Sequence, residues 1–294
     1  MEPGFVYEVF GLRVGSEFAL WPAHESFAAS PQSAVPDAVI RVAAQALPQP
    51  LSESFEIGQA SAVIRWPRVG VLRVQYGSEL CWWPEAGASE QALSLLSAGM
   101  GLAMLLCQRD RLVLHGACVL TPHGDARCLI GTSGAGKSSL VSALLARGWS
   151  LLSDAMTVVE FDRAGCAFAL RGAPFLRLWP DALERAELLA QDFPRVTAEH
   201  DKRVVPARNW STLTRVPLTH IYELRAGAVV GSRACEGAVA ALTLVKHHFL
   251  AELLGQRSSA RLLTDASRAL RHVALHELCR GQNPADIERA ADCV

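Results

Sequence analysis

The chain has 294 residues and half of them are hydrophobic, enough for one large domain or two smaller ones around a sizeable core. Its 28 basic residues nearly cancel its 29 acidic ones, and no long basic run marks a nucleic-acid track. The start, Met1-Glu2-Pro3-Gly4, lacks the basic and apolar regions of a signal peptide.

Residues 5–86 read as strand-rich. Phe5-Val6-Tyr7-Glu8-Val9-Phe10 alternates before Gly11 and Gly15, and residues 62–66 and 71–74 alternate around a Pro67/Gly70 turn, which predicts a hairpin. Residues 29–50 carry several prolines and small residues and read partly as loop. A helix is expected from Ser89 to about Gln108. Its apolar stretch, residues 92–107, falls short of the roughly 20 residues that span a bilayer, so it reads as a buried helix. The domain boundary falls before it, with residues 1–88 as a strand-rich region and residues 89–294 as a second domain.

A strand follows at residues 112–115, continuing towards Leu120, then a second at residues 126–130 that leads into a glycine-rich loop. The helix after the loop should run from Lys137 to Arg147, with Gly148 as a left-handed cap, and residues 150–154 form a further strand. Beyond Glu160 the pattern predicts a strand near residues 166–171, a helix over 180–191, a strand over 219–225, and helices near 238–254 and 261–280. The eight cysteines show no Cys-x-x-Cys pair or zinc spacing and read as reduced core thiols of a cytoplasmic protein.

Gly131-Thr132-Ser133-Gly134-Ala135-Gly136-Lys137-Ser138 matches the P-loop pattern in full. Glycines let the backbone turn its N–H groups towards phosphate oxygens, and the helix that starts there adds its positive end. Lys137 supplies a point charge to the outer phosphates, the Ser138 hydroxyl can hold Mg²⁺, and Ser139 reads as a helix-start residue. Asp154 ends the next parallel strand, which brings it towards the same sheet edge. A carboxylate there can hold Mg²⁺ or take a proton from an attacking hydroxyl; the plainer alternative is an aspartate capping a turn. His115 ends a strand just before the loop strand, where a lone histidine can be structural or catalytic. Arg171, Arg177, Lys202 and Arg203 are candidate contacts to phosphate or acceptor, although a charge of this kind is more often a solvated surface group.

These pieces in this order resemble the catalytic domain of HPr kinase/phosphorylase. The residues that carry the resemblance are His115-Gly116, the loop from Gly131 to Ser138, and Arg147-Gly148 followed by the apolar run to Asp154. It covers roughly residues 110–225. The segment from Tyr7 to Glu17 (an aromatic-Gly-Leu strand followed by Ser16-Glu17), the segment from Pro174 to Leu183, and Lys202-Arg203 are similar to a divergent branch encoded with peptide natural-product clusters, lasso peptides included. A related branch accompanies exosortase systems. The resemblance implies an α/β P-loop kinase core of the HPr kinase/PEP-carboxykinase type. It implies Asp154 as base and metal neighbour, and His115 beside the phosphates. One position departs: the family carries two consecutive acids, and here the second is Ala155.

The expected function is transfer of the γ-phosphoryl group of ATP (or GTP), with Mg²⁺, to a hydroxyl, foremost a serine of a peptide or small protein. Lys137, Asp154 and His115 would carry the step. The alternatives are a non-catalytic nucleotide-binding adaptor and a kinase of a small hydroxylated metabolite. No nucleic-acid partner and no membrane span are expected, and homo-oligomerisation stays open.

Overall fold

Tight turns and alternating apolar residues build the first part of the chain into a sheet. The computed structural model describes residues 3–22, 35–45, 55–58, 60–196, 201–251, 259–281, 283 and 285–294. Contacts divide the chain into two units, Met1–Arg111 and Leu112–Val294.

In the first unit, strands β1 (Phe5–Val9), β2 (Leu12–Ser16), β3 (Ala38–Val42), β4 (Phe55–Ile57), β5 (Ser61–Trp66), β6 (Gly70–Gln75) and β7 (Glu79–Pro84) pair in the order β1-β2-β3-β7-β6-β5-β4. Phe10 and Gly11, both at positive φ, close the β1–β2 hairpin, the backbone that two-residue hairpin turns require. The expected β5–β6 hairpin forms around Arg68 and Gly70. Helices α1 (Glu90–Leu96) and α2 (Leu102–Gln108) run as one 19-residue segment through a π-helical turn, Ser97–Gly101. Ser89 caps it by accepting the N–H of Ala92 at 3.2 Å. A Cβ at Gly101 would meet Leu80 at 2.5 Å, and the Trp82 indole donates to Ser97 Oγ at 2.8 Å. This helix therefore belongs with the first sheet, and the division falls after Arg111 instead of after residue 88. It is long and apolar enough to cross a membrane, and half of it is buried within the fold.

The second unit is a mixed α/β sandwich. Its strands are β8 (Leu112–Leu114), β9 (Gly116–Leu120), β10 (Ala126–Ile130), β11 (Ser150–Ser153), β12 (Thr157–Phe161), β13 (Ala167–Leu170), β16 (Arg215–Arg225), β17 (Gly231–Cys235) and β18 (Ala274–Cys279). They form one sheet in the order β11-β9-β10-β16-β13-β12-β8, with β18 on β16 and β17 on β18. Strands β14 (Phe175–Leu178) and β15 (Arg203–Pro206) pair separately. Helices α3 (Lys137–Ala146) and α7 (Asp286–Ala291) lie with the core on one face, around Leu129, Leu140, Leu144 and Leu278. Helices α5 (Gly237–Lys246) and α6 (Ser259–Ala269) join the core on the other face, around Ile130, Ile221, Leu244 and Ala266. Strand β10 contributes to both cores, as a central strand covered on both faces must.

Several expectations change. The strand from residue 112 breaks at His115, because β8 pairs with β12 while β9 pairs with β10 and β11. Helix α4 (Pro180–Arg185) is shorter than predicted: Glu187 turns left-handed and the Leu188 N–H bonds back to Leu183 O. The helix expected over 261–280 ends at Ala269, and its second half is β18, parallel to β16 with Tyr222 opposite His276. The helix expected near 238–254 is α5, ending at Lys246; residues 252–254 lie outside the described ones.

Candidate active site

Register brings distant residues to one sheet edge. Gly116 of β9 pairs with Ile130 of β10, so His115 stands where β10 runs out into the glycine-rich loop. Strand β11 is also antiparallel to β9, with Ser153 opposite Cys118, so Asp154 leaves the sheet at this same end. Strand β16 is parallel to β10, with Glu223 opposite Ile130. Ligands of α/β sheets gather outside such carboxyl ends.

The loop has the backbone that a phosphate cradle needs. Gly131, Gly134 and Gly136 sit at φ values of 151°, 80° and 96°. Thr132, Ser133 and Gly134 are exposed, while Ala135 is buried under the turn. Helix α3 starts at Lys137, and its cap, Gly136, makes no side-chain cap hydrogen bond. Ser139 lies half-buried in that first turn. The Lys137 ammonium folds over the loop and donates to Gly131 O at 2.6 Å and Thr132 O at 3.0 Å. Burial lowers its pKa, while the charge of Asp154 acts in the opposite direction.

Arg177 ties two of the predicted residues together through its backbone. Its N–H donates to Asp154 Oδ2 at 2.7 Å, and its carbonyl accepts from Ser138 Oγ at 3.4 Å. In an extended strand one residue's N–H and C=O face the same side, so both partners lie on one flank of β14. The Arg177 guanidinium is lowered by burial, partly offset by Asp154, although some of its surface stays open to solvent.

Among the described residues, the two acids that follow Asp154 most closely, Glu160 and Asp162, are engaged elsewhere. Ala155 adopts a left-handed φ of 65°. Glu160 pairs with Arg215 at 2.9 Å, and Asp162 accepts the Cys166 N–H at 2.8 Å within its own turn.

The His115 N–H donates to His247 O at 2.8 Å, and its ring stacks on Phe249 at 5.6 Å. Its pKa falls to about 4, through burial first and then the charges of Lys137, Lys202, His247 and Arg177. The ring still opens to solvent, which screens part of that shift, but every cause favours the neutral form. Lys202, whose ammonium lies 5.2 Å from the Trp179 ring, thus belongs to the cluster. Arg203 does not: its guanidinium donates to Phe193 O and Asp201 in its own loop. Arg171 likewise points elsewhere, donating to Thr212 O and lying over Trp210.

Two further residues at this edge, Glu223 and Arg280, carry no motif of their own. Glu223, buried at the end of β16, pairs with His247 Nε2 at 2.9 Å and Arg225 at 2.8 Å. Burial lowers the His247 pKa against the pull of Glu223. Arg280, just past β18, donates from Nε to Ala135 O of the loop at 2.7 Å. A signal for Glu223 existed: an acid near the end of an apolar strand, Ile221-Tyr222-Glu223-Leu224-Arg225, followed by Gly227.

Next to His247, His248 is 4% exposed and its Nδ1 accepts the Leu250 N–H at 3.2 Å. Burial, with Arg261 behind it, pushes this ring down to about 4. An unfolded histidine titrates near 6.5, so between about pH 6.5 and 4 the unfolded chain binds a proton that the folded chain refuses. Stability contributed by the neutral ring is present above that window and lost as pH falls through it. We expect the wild type to lose roughly 2–3 kcal/mol more than His248→Asn between pH 7 and 4, read from urea unfolding at each pH. Equal losses in the two proteins would contradict a neutral buried ring.

No protein-family model matches the chain, and no curated protein matches it. Solved structures do. One is the Hpr(Ser) kinase/phosphatase from Coxiella burnetii, at 8% identity, covering 61% of this chain and 93% of that one with a TM-score of 0.31. A likeness at that level bears no weight for residue roles, which rest on the edge itself.

Proposed function

We propose that the chain transfers the γ-phosphoryl group of ATP (or GTP) to a hydroxyl, foremost a serine of a peptide or small protein. The observation that carries this reading is the Arg177 backbone holding Asp154 and Ser138 on one flank, with Lys137 close enough to feel Asp154. The motif resemblance of residues 110–225 points the same way.

The chain's own residues divide the work. Loop N–H groups and the α3 N-terminus hold the phosphates, and Lys137 turns from the loop carbonyls to the outer ones. The donor set of one hydroxyl, Ser138, and one carboxylate, Asp154, suits Mg²⁺, which takes few protein oxygens and keeps waters and phosphates as its other ligands. Bound there, Mg²⁺ supplies neutralising charge for the leaving and transferring groups. Asp154 orients the acceptor hydroxyl and takes its proton. His115 acts as a neutral ring beside the phosphates, donating or accepting one hydrogen bond without adding charge. The first unit is our proposed module for acceptor recognition.

Ala155, with Glu160 and Asp162 engaged elsewhere, favours a second reading: a nucleotide-binding module without transfer. Incubation with γ-labelled ATP, Mg²⁺ and serine-containing precursor peptides separates the two. Label on a peptide hydroxyl supports the kinase. Nucleotide binding without transfer to any peptide or small hydroxylated acceptor sinks it in favour of the module.

A further inference from the structure

Arg280 sits where a phosphate cradle would be tuned from outside. A Cβ built on Gly136 would meet Arg280 Cδ at 2.7 Å and Nε at 2.8 Å, so the arginine stem lies flat on the last glycine of the loop. Its Nε donates to the carbonyl of Ala135 at 2.7 Å. In a trans peptide the C=O and the following N–H point in opposite directions. Fixing the Ala135 carbonyl outward therefore fixes the Gly136 N–H inward, among the donors that a P-loop turns to phosphate.

The arginine is itself held from several sides. Its N–H continues the β16–β18 ladder by donating to Arg225 O at 3.0 Å. Gly281 then turns left-handed at φ 74°, and a Cβ there would run into the carboxylate of Asp286. That carboxylate, 4% exposed, accepts the Asn283 N–H at 3.1 Å and pairs with Arg289. Asp286 opens α7, which also grips the far end of the loop helix: Arg147 pairs with Glu288 at 2.9 Å and Asp292 at 2.7 Å. The segment after β18 thus brackets α3 at both ends.

The geometry points to Arg280 as a positioning residue that preorganises the Ala135–Gly136 peptide for phosphate, an inference that rests on the nucleotide-binding reading above. It acts through the loop backbone, so it raises the affinity of ground state and transition state alike. The consequence is a rise in KM with little change in kcat when it is lost.

Two variants isolate the bond. In Arg280→Gln the amide nitrogen occupies the place of Nε, so the donor to Ala135 survives without charge. In Arg280→Met the stem over Gly136 survives and the donor does not. The probe is pyrophosphate, titrated into each folded full-length protein, with adenosine as the phosphate-free control. Arg280→Met is expected to bind pyrophosphate about fivefold more weakly than Arg280→Gln, the size of one net hydrogen bond, with adenosine affinity equal in both. Equal pyrophosphate affinities for the two variants would overturn the inference, as would a matching loss for adenosine. A wild type that binds neither pyrophosphate nor ATP would instead remove the nucleotide-binding reading itself.

Discussion

Lys137→Ala is expected to lower phosphoryl transfer by roughly 10²–10³, the size of losing one preorganised charge at a developing anion. Its ammonium now rests on two loop carbonyls, 2.6 and 3.0 Å away, and burial works against its charged form. Incoming phosphates would offer that ammonium stronger, charged acceptors, so the side chain is stored beside its target. Truncation leaves the glycine backbone and α3 intact, so a folded protein with strongly reduced transfer is the expected product. Single-turnover transfer from labelled ATP, with a circular-dichroism check of the fold, measures it. Undiminished transfer would remove Lys137, and with it the cradle, from the chemistry.

Asp154→Asn is expected to cost roughly 10²–10⁴ in transfer while nucleotide binding stays near the wild-type value. The amide oxygen can still accept the Arg177 N–H, now 2.7 Å from Oδ2, so the strand contact survives. What disappears is the negative charge that opposes the burial cost of Lys137 and Arg177, and the capacity to take the acceptor's proton. Asp154→Ala should add a stability loss, because the Arg177 N–H then lacks this acceptor. The comparison is made by transfer rate and by nucleotide titration on the same preparations. Equal loss of binding and transfer in the Asn variant would make Asp154 a structural cap and nothing more.

The parts of the site legible in the sequence were those fixed by local chemistry. The turns of the loop read directly because φ values of 151°, 80° and 96° favour glycine. Asp154 reads because the strand–helix–strand spacing brings parallel strand ends together, although β9 lies between the two strands. The residues missed are coupled only through the fold: Arg280 meets a loop carbonyl 145 positions away, and Glu223 meets a histidine 24 positions on. Strand β18 carries a helical spacing, but its lateral pairing with β16 decides its state, and local spacing does not reveal that partner. The domain boundary moved for a similar reason. Gly101 lets helix 90–108 close on Leu72 and Leu80, a contact with strands that precede it in the chain. Lys202 and Arg203 are adjacent in sequence, yet Lys202 reaches the cluster around His115 while Arg203 serves its own loop.

A crystal structure of the full chain with Mg²⁺ and a non-hydrolysable ATP analogue tests the central claim most directly. The account predicts the triphosphate within the Gly131–Ser138 loop, Lys137 withdrawn from the loop carbonyls onto the outer phosphates, and the γ-phosphorus facing Asp154. A triphosphate bound elsewhere, or one in the loop with its γ-group turned away from Asp154, would contradict it.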